Sequence, residues 1–472
     1  MRGTAGRDRE SGMRGPGFSG TLPCRVARAM RDERRLWRAA GGVLLLAIPF
    51  GAWAAGTTDT PSPAGPILLA LALLVLTAKV GGALAERWGQ PSVLGELLVG
   101  IGAGNLLPAL FGERGIAFVR GDPTLHVLAE IGVLVLLFGV GLEADLRALV
   151  GVGPSAALVA TIGVAVPFVL GWGTAWWLLP EVPMLAHLFV GATLTATSIG
   201  ISARVLKDLG ALQNREGQVI LGAAVLDDIL GLVVLAVMTG LVTATATGAP
   251  ELSGLAVVGI VLKAIVFLAI TIGLGHRLSG PIVRLAGRTG QRDMLLVLGL
   301  ALCFALAFIA ERIGLAGIVG AFAAGLLLDP YGEGVRTPGE TATLSELLHP
   351  LSSLFVPLFF VLMGIQVDVG SLITRESFVF GVVLVLVAVA GKLACAAGVV
   401  TPGINRLVVG IGMVPRGEVG LIFAGIGAAL VLEGRSLLSQ TAYSALVLMV
   451  VVTTLVTPIG LRWALQHTKP IP

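Results

Sequence analysis

Among the charged residues inside long apolar stretches of the sequence, where a charge is costly, five lie near the middle of a segment and next to unusual sequence features. Asp227 and Asp228 are adjacent in GAAVLDDILGL, Lys392 lies in VAVAGKLACAAG, and Arg416 and Glu418 lie in MVPRGEVGLIF. A charged side chain at the centre of a bilayer costs about 2.5–3.5 kcal/mol on insertion scales, so charges that persist there are candidates for ion or proton binding.

The aspartate pair has the chemistry of an exchangeable cation site. It lies about 15 Å into its apolar segment at 1.5 Å per residue, and neighbouring residues on a helix point about 100° apart. Asp227 and Asp228 can therefore face different partners, one a cation pathway and the other a fixed counter-charge. Two buried carboxylates repel, so at least one holds a proton more readily and a cation can replace that proton. The alternative is a structural pair held by hydroxyl groups or a salt bridge.

Lys392 lies too deep in its segment for easy snorkelling and needs an acidic partner. Asp227 and Asp228 both lie at matching depth. A buried lysine can also lose its proton, so Lys392 either carries a proton or serves as a structural ion-pair partner.

Two apolar segments are predicted to be interrupted helices. Pro415 and Gly417 weaken the helix that carries Arg416 and Glu418, which form either a mutual supporting pair or part of the ion site. The second interruption is predicted within GATLTATSIGIS. Its hydroxyl residues are candidate neutral cation ligands, with close helix packing as the alternative: Thr195, Thr197 and Ser198.

The composition of the chain indicates the class of protein in which these residues are held. Of 472 residues, 56% are hydrophobic and 13% charged, which predicts an all-α polytopic membrane protein embedded in the lipid bilayer of the cell membrane. Soluble enzymes are excluded. The net charge of +4 does not indicate a nucleic-acid partner, because ten of the 32 basic residues precede position 39. Cys24, Cys303 and Cys395 are too few and too scattered for a disulfide framework or metal cluster, so we expect unpaired thiols.

Residues 1–55 are predicted to be a basic tail followed by a signal peptide, with a retained first helix as the alternative. Residues 56–472 then form the membrane domain, with thirteen apolar segments. Thirteen basic residues fall on one predicted side and five on the other, which favours an external N-terminus and a cytoplasmic C-terminus.

The membrane domain repeats itself at an offset of about 225 residues. Val93-Leu94-Gly95 and Gly100 match Ile318-Val319-Gly320 and Gly325, and GLEAD at position 141 matches GIQVD at position 364. Repeat one spans about 92–243 and repeat two about 313–461. Seven segments separate the partners, so the second copy crosses in the opposite sense. Inverted five-helix repeats with interrupted helices are typical of secondary transporters.

Together, ATLTATSIGISARVLKDLG, LDDILGL, GKLACAAG and PRGEVGLI resemble the monovalent cation:proton antiporter superfamily, specifically its thirteen-helix sodium/proton exchanger branch. The resemblance spans residues 65–461. It implies a six-helix core domain working against a dimerisation domain, two crossing interrupted helices and a homodimer. It also implies that Asp228 is the principal ion ligand (Na⁺) and that Asp227 is salt-bridged to Lys392. We expect no nucleotide-binding module after the last helix, which disfavours the potassium-efflux type.

The predicted function is exchange of Na⁺, or of Li⁺ or K⁺, for protons by alternating access, with no cofactor beyond the transported ions. Exchange is predicted to be electrogenic, with Lys392 carrying a second proton. The alternatives are a K⁺/H⁺ antiporter and a cation channel, although the chain offers no stretch that resembles a selectivity filter. An intramembrane aspartyl protease needs two separated aspartates, and a sodium-coupled organic-anion carrier leaves Lys392 without a role.

Overall fold

The computed structural model describes residues 64–111, 113–143, 153–211, 214–246, 254–288, 293–329, 334–336, 342–432 and 434–467. The predicted basic tail and signal peptide at 1–55 lie outside these residues, as does Cys24. Cys303 and Cys395 are buried free thiols.

The described chain is helical almost throughout, which confirms the predicted all-α class. The helices in chain order are α1 (Ala64–Arg87), α2 (Ser92–Phe111), α3 (Glu113–Gly121), α4 (Pro123–Glu143), α5 (Pro154–Leu178), α6 (Met184–Thr193), α7 (Ile199–Asp208), α8 (Arg215–Ala246), α9 (Gly254–Arg288), α10 (Met294–Arg312), α11 (Gly317–Leu328), α12 (Leu344–Ile365), α13 (Arg375–Leu393), α14 (Arg406–Gly412), α15 (Gly417–Ala429) and α16 (Gln440–His467). Short 3-10 turns occupy Gly370–Leu372 and Ala394–Gly398.

Eight helices in the described part of the chain are long and apolar enough to cross a membrane. Each predicted apolar segment coincides with a helix or an interrupted pair. Beyond the eight, α11, the two interrupted pairs and the apolar part of α2 (Ser92–Pro108) are shorter than a straight span, and α9 is bent by 51° between Gly275 and Arg277. The count of thirteen spans therefore stays a prediction. Two elements are not predicted from the sequence: the amphipathic helix α3, and a small hairpin of β1 (Val431–Leu432) and β2 (Arg435–Ser436).

Local capping chemistry fixes where several helices begin. Thr343 and Glu346 form a capping box at the start of α12, each side chain accepting a hydrogen bond from the other residue's backbone N–H. Asn405 caps α14 by accepting bonds from the first backbone N–H groups of that helix. These caps satisfy backbone N–H donors that the first turn of a helix leaves without an intrahelical partner.

The helices fall into two groups that pack mainly within themselves. A core bundle contains α5, the pair α6/α7, α8, α13, the pair α14/α15 and α16, whereas a scaffold bundle contains α1, α2, α4 and α9–α12. Direct packing between the bundles is sparse and involves mainly α15 against α2 and α12, apart from the consecutive helices α8 and α9. Sparse packing allows one bundle to move against the other with few contacts to break.

The internal repeat reappears as two equivalent helix crossings in the scaffold bundle. Gly100 of α2 meets Gly364 of α12, and the repeat-mate Gly325 of α11 meets Gly141 of α4. At all four glycines an added Cβ would lie 2.2–2.4 Å from the carbonyl oxygen three residues before the partner glycine. Glycine is required there because the backbones approach too closely for any side chain. The matching geometry supports the repeat inferred from sequence.

Candidate functional site

The two interrupted helices cross inside the core bundle. The first break, residues 194–198, separates α6 from α7, and the second, residues 413–416, separates α14 from α15. The backbone N–H of Ser198 donates to the Pro415 carbonyl at 2.8 Å, joining the two breaks directly. Unwound backbone is tolerated at membrane depth only where protein or a cavity surrounds it, and both breaks are buried.

Gly417 explains why the breaks can approach so closely. Its φ is +45°, which disfavours side chains, and an added Cβ would lie 2.5 Å from the Ser198 Cβ. Pro415, two residues earlier, has no N–H to continue the α14 ladder. The sequence signal for this break was therefore correct in position and cause.

Hydroxyl groups reinforce the crossing. Thr197 donates to the Met413 carbonyl at 3.5 Å, and Ser202 donates to the Gly412 carbonyl. Thr195 instead caps the end of its own helix by donating to the Ala192 carbonyl at 2.7 Å. Ser202 lay within the predicted polar stretch but was not singled out, because its spacing alone did not distinguish it from a helix-packing serine.

The aspartates occupy different environments on α8. Asp227 is fully buried, whereas Asp228 is partly exposed. The rotation of about 100° between consecutive residues produces this difference. The more accessible carboxylate of the pair is thus Asp228.

Lys392 contacts the buried member of the pair. Its Nζ lies 2.8 Å from the Asp227 Oδ1, and both side chains are fully buried. Lys392 occupies the last turn of α13, where the α-helix gives way to the 3-10 turn at Ala394–Gly398. Thr197 lies beside the Asp227 carboxylate, so the ion pair adjoins the first break.

Arg416 is a second fully buried cation in the core bundle. Its Nη1 donates to the Ala196 carbonyl at 2.8 Å, and its Nη2 donates to the Ala388 carbonyl at 2.9 Å. One guanidinium therefore joins the second break to the first break and to α13, one turn before Lys392. The Glu418 side chain lies outside the described residues, so its predicted pairing with Arg416 stays a prediction.

The assembled site combines four charged side chains with two stretches of unwound backbone. Asp227, Lys392 and Arg416 are buried together, with the partly exposed Asp228 adjacent on α8. Hydroxyl and carbonyl oxygens of the two breaks lie alongside. Such oxygens can coordinate a hard monovalent cation without adding charge, while a carboxylate can hold either the cation or a proton.

Comparison with known proteins finds one matching family and several similar sequences. The family described as "Sodium/hydrogen exchanger, transmembrane" matches residues 72–467. The chain is 38% identical over 447 residues to the high-affinity Na⁺/H⁺ antiporter NhaS3 of Synechocystis, covering 88% of this chain and 93% of that protein. It is 34% identical over 398 residues to the Na⁺/H⁺-K⁺ antiporter GerN of Bacillus cereus, covering 83% and 95% of the two chains.

A solved structure shares the fold. The sodium proton antiporter MjNhaP1 from Methanocaldococcus jannaschii superposes with a TM-score of 0.62 at 16% sequence identity. The match covers 85% of this chain and 99% of that one. At this identity the likeness concerns the arrangement of helices alone.

Proposed function

The chain belongs to the sodium/hydrogen exchanger family, and we propose that it exchanges Na⁺ for protons across the cell membrane by alternating access. It is a multi-pass membrane protein. The observation that carries the proposal is the juxtaposition of a buried Asp227–Lys392 pair, a partly exposed Asp228 and two crossing interrupted helices. The site binds and releases ions without covalent chemistry, so the protein acts as a transporter rather than an enzyme and needs no cofactor.

Asp228 is the group on which Na⁺ and the proton compete. Its carboxylate holds one or the other, and this mutual exclusion couples the two flows when the loaded core bundle moves against the scaffold bundle. Thr197, Ser198 and Thr195 are proposed to supply neutral oxygens around the cation. Competition at one carboxylate implies that the apparent KM for Na⁺ rises as the pH falls.

Lys392 is proposed to make the exchange electrogenic. With Na⁺ bound, two carboxylates, one Na⁺ and a neutral lysine amine leave one net negative charge. With protons bound, one neutral aspartic acid and an Asp227–Lys392 ion pair leave none. Two protons then exchange for one Na⁺. Arg416 adds the same positive charge to both states because its guanidinium stays protonated, so it does not alter the difference.

The cargo set extends to Li⁺ or K⁺ in our proposal, and a K⁺/H⁺ antiporter is the alternative. The relative GerN is named for both Na⁺ and K⁺, which supports K⁺ as a candidate transported ion. We also propose a homodimer assembled through the scaffold bundle, as the family resemblance implies.

The experiment is proton flux in proteoliposomes containing the full chain. A pH-sensitive dye should report saturable proton movement on adding Na⁺ or Li⁺, and the K⁺ response decides between the two antiporter types. Imposing a membrane potential should change the rate if the stoichiometry is unequal. Cation currents without proton movement would instead indicate a channel.

A further inference from the structure

Helix α5 passes directly over the buried ion pair at a glycine. An added Cβ on Gly163 would lie 3.5 Å from the Lys392 Nζ, 3.5 Å from the Asp227 Oδ1 and 3.5 Å from the Cys395 Cβ. A methyl group therefore fits in ordinary contact, whereas any longer side chain would extend into the ion pair. The bare backbone of Gly163 leaves a space the size of a methyl group next to the lysine nitrogen.

The backbone carbonyl of Gly163 lacks the hydrogen-bond donor that it would have in a regular helix. Pro167 lies inside α5, four residues after Gly163, and has no N–H to donate to the Gly163 carbonyl. Residues four apart share one face of a helix, and Pro167 contacts α13, since an added Cβ on Gly391 would lie 3.0 Å from its Cα. The Gly163 carbonyl, which lacks its usual helical donor, therefore belongs to the turn of α5 that packs against the lysine helix.

Helix α5 also packs closely against α13 and the 3-10 turn that follows it, on both sides of Gly163. One turn along, an added Cβ on Gly398 would lie 2.6 Å from the backbone nitrogen of Val159. Backbone contact on both sides of Gly163 fixes its distance from Lys392. The Lys392 and Asp227 side chains can separate without a shift of either helix.

We propose that Gly163 and Pro167 are positioning residues that provide the alternative location for the Lys392 amine when Na⁺ loading separates it from Asp227. The amine then donates an N–H to the Gly163 carbonyl instead of to the Asp227 carboxylate. The absent side chain leaves room for the amine, and Pro167 has no N–H to compete for the Gly163 carbonyl. The inference rests on the proposed function, because Na⁺ loading is what opens the pair.

A competing explanation is that Gly163 only permits close packing of the two helices. The two explanations differ in whether the effect of filling the space depends on Lys392. A double-mutant cycle separates them, since residues that act through one another give non-additive effects.

The test begins with Gly163→Ala in the purified full-length protein. Gly139→Ala is the matched control, because its added Cβ also makes a 3.5 Å contact, with the Leu348 Cδ2, but in the scaffold bundle. Relative to this control, Gly163→Ala should keep the melting temperature without Na⁺. It should weaken apparent Na⁺ affinity about tenfold, equivalent to about 1.4 kcal/mol, measured by Na⁺-dependent thermal stabilisation and by the KM for exchange.

In a Lys392→Gln background, adding Gly163→Ala should cause no further loss of Na⁺ affinity. A second tenfold loss there, or no difference from Gly139→Ala, would overturn the inference. If Lys392→Gln does not respond to Na⁺, Pro167→Ala decides: restoring the N–H should weaken Na⁺ binding in the same direction as Gly163→Ala, and unchanged binding would overturn the inference. A wild-type protein that neither binds nor exchanges Na⁺ would instead defeat the proposed function itself.

Discussion

Replacing Asp227 with asparagine should destabilise the protein strongly, because the buried Lys392 then either keeps a charge without its counter-charge or must give up its proton. The Lys392 Nζ lies 2.8 Å from the Asp227 Oδ1, and neither side chain is exposed. At an effective dielectric constant of about 20, two unit charges at 2.8 Å attract by about 6 kcal/mol. Removing one partner of such a pair costs about 3–5 kcal/mol.

The assay is thermal unfolding of the purified chain in detergent. Each kcal/mol of lost unfolding free energy lowers the melting temperature of a large domain by about 2 °C, so the expected fall is about 6–10 °C. Asp228→Asn is the matched control. It makes the same change one residue along, at a partly exposed side chain, and should shift the melting temperature much less.

Removing both charges should recover most of the lost stability. Asp227→Asn combined with Lys392→Met removes the buried ammonium together with its counter-charge, so the double variant should be more stable than Asp227→Asn alone. The reasoning fails if Asp227→Asn melts within about 1 °C of the wild type. It also fails if the double variant loses the sum of the two single effects.

The other predictions concern transport. Asp228→Asn should abolish proton-coupled Na⁺ flux in proteoliposomes while the protein inserts and assembles normally; normal transport would refute its role as principal ligand. Thr197→Ala should raise the apparent KM for Na⁺ only several-fold, since it removes one neutral oxygen among several, and an unchanged KM would exclude Thr197 from the site. Gly417→Ala should lower both the melting temperature and the exchange rate, because the φ of +45° and the 2.5 Å approach to Ser198 exclude a side chain. An active Lys392→Gln variant should lose the voltage dependence of the wild type, and an unaltered voltage response would show that Lys392 carries no proton.

The residues that are costly to bury and the positions of the helix breaks can be predicted without the structure. Asp227, Asp228 and Lys392 stand out because a charge in an apolar segment is costly wherever the segment packs. The break before Gly417 follows from proline and glycine chemistry, which is local. The internal repeat can also be predicted. Residues such as Gly100 and Gly325 lie at backbone crossings that accept no side chain, so glycine recurs at matching positions of the two repeats.

Which of these groups come into contact depends on how the helices pack. Helical periodicity requires Asp227 and Asp228 to face different ways, but the rotation of α8, set by its packing, determines that Asp227 faces Lys392. Arg416 donates to carbonyls at Ala196 and Ala388, and no sequence pattern marks a backbone carbonyl as an acceptor. Gly163 likewise cannot be distinguished from other small residues in the sequence. Its position beside Lys392 follows only from the contact between α5 and α13. Such contacts join residues distant in the chain, so they depend on the packing of whole helices rather than on local composition.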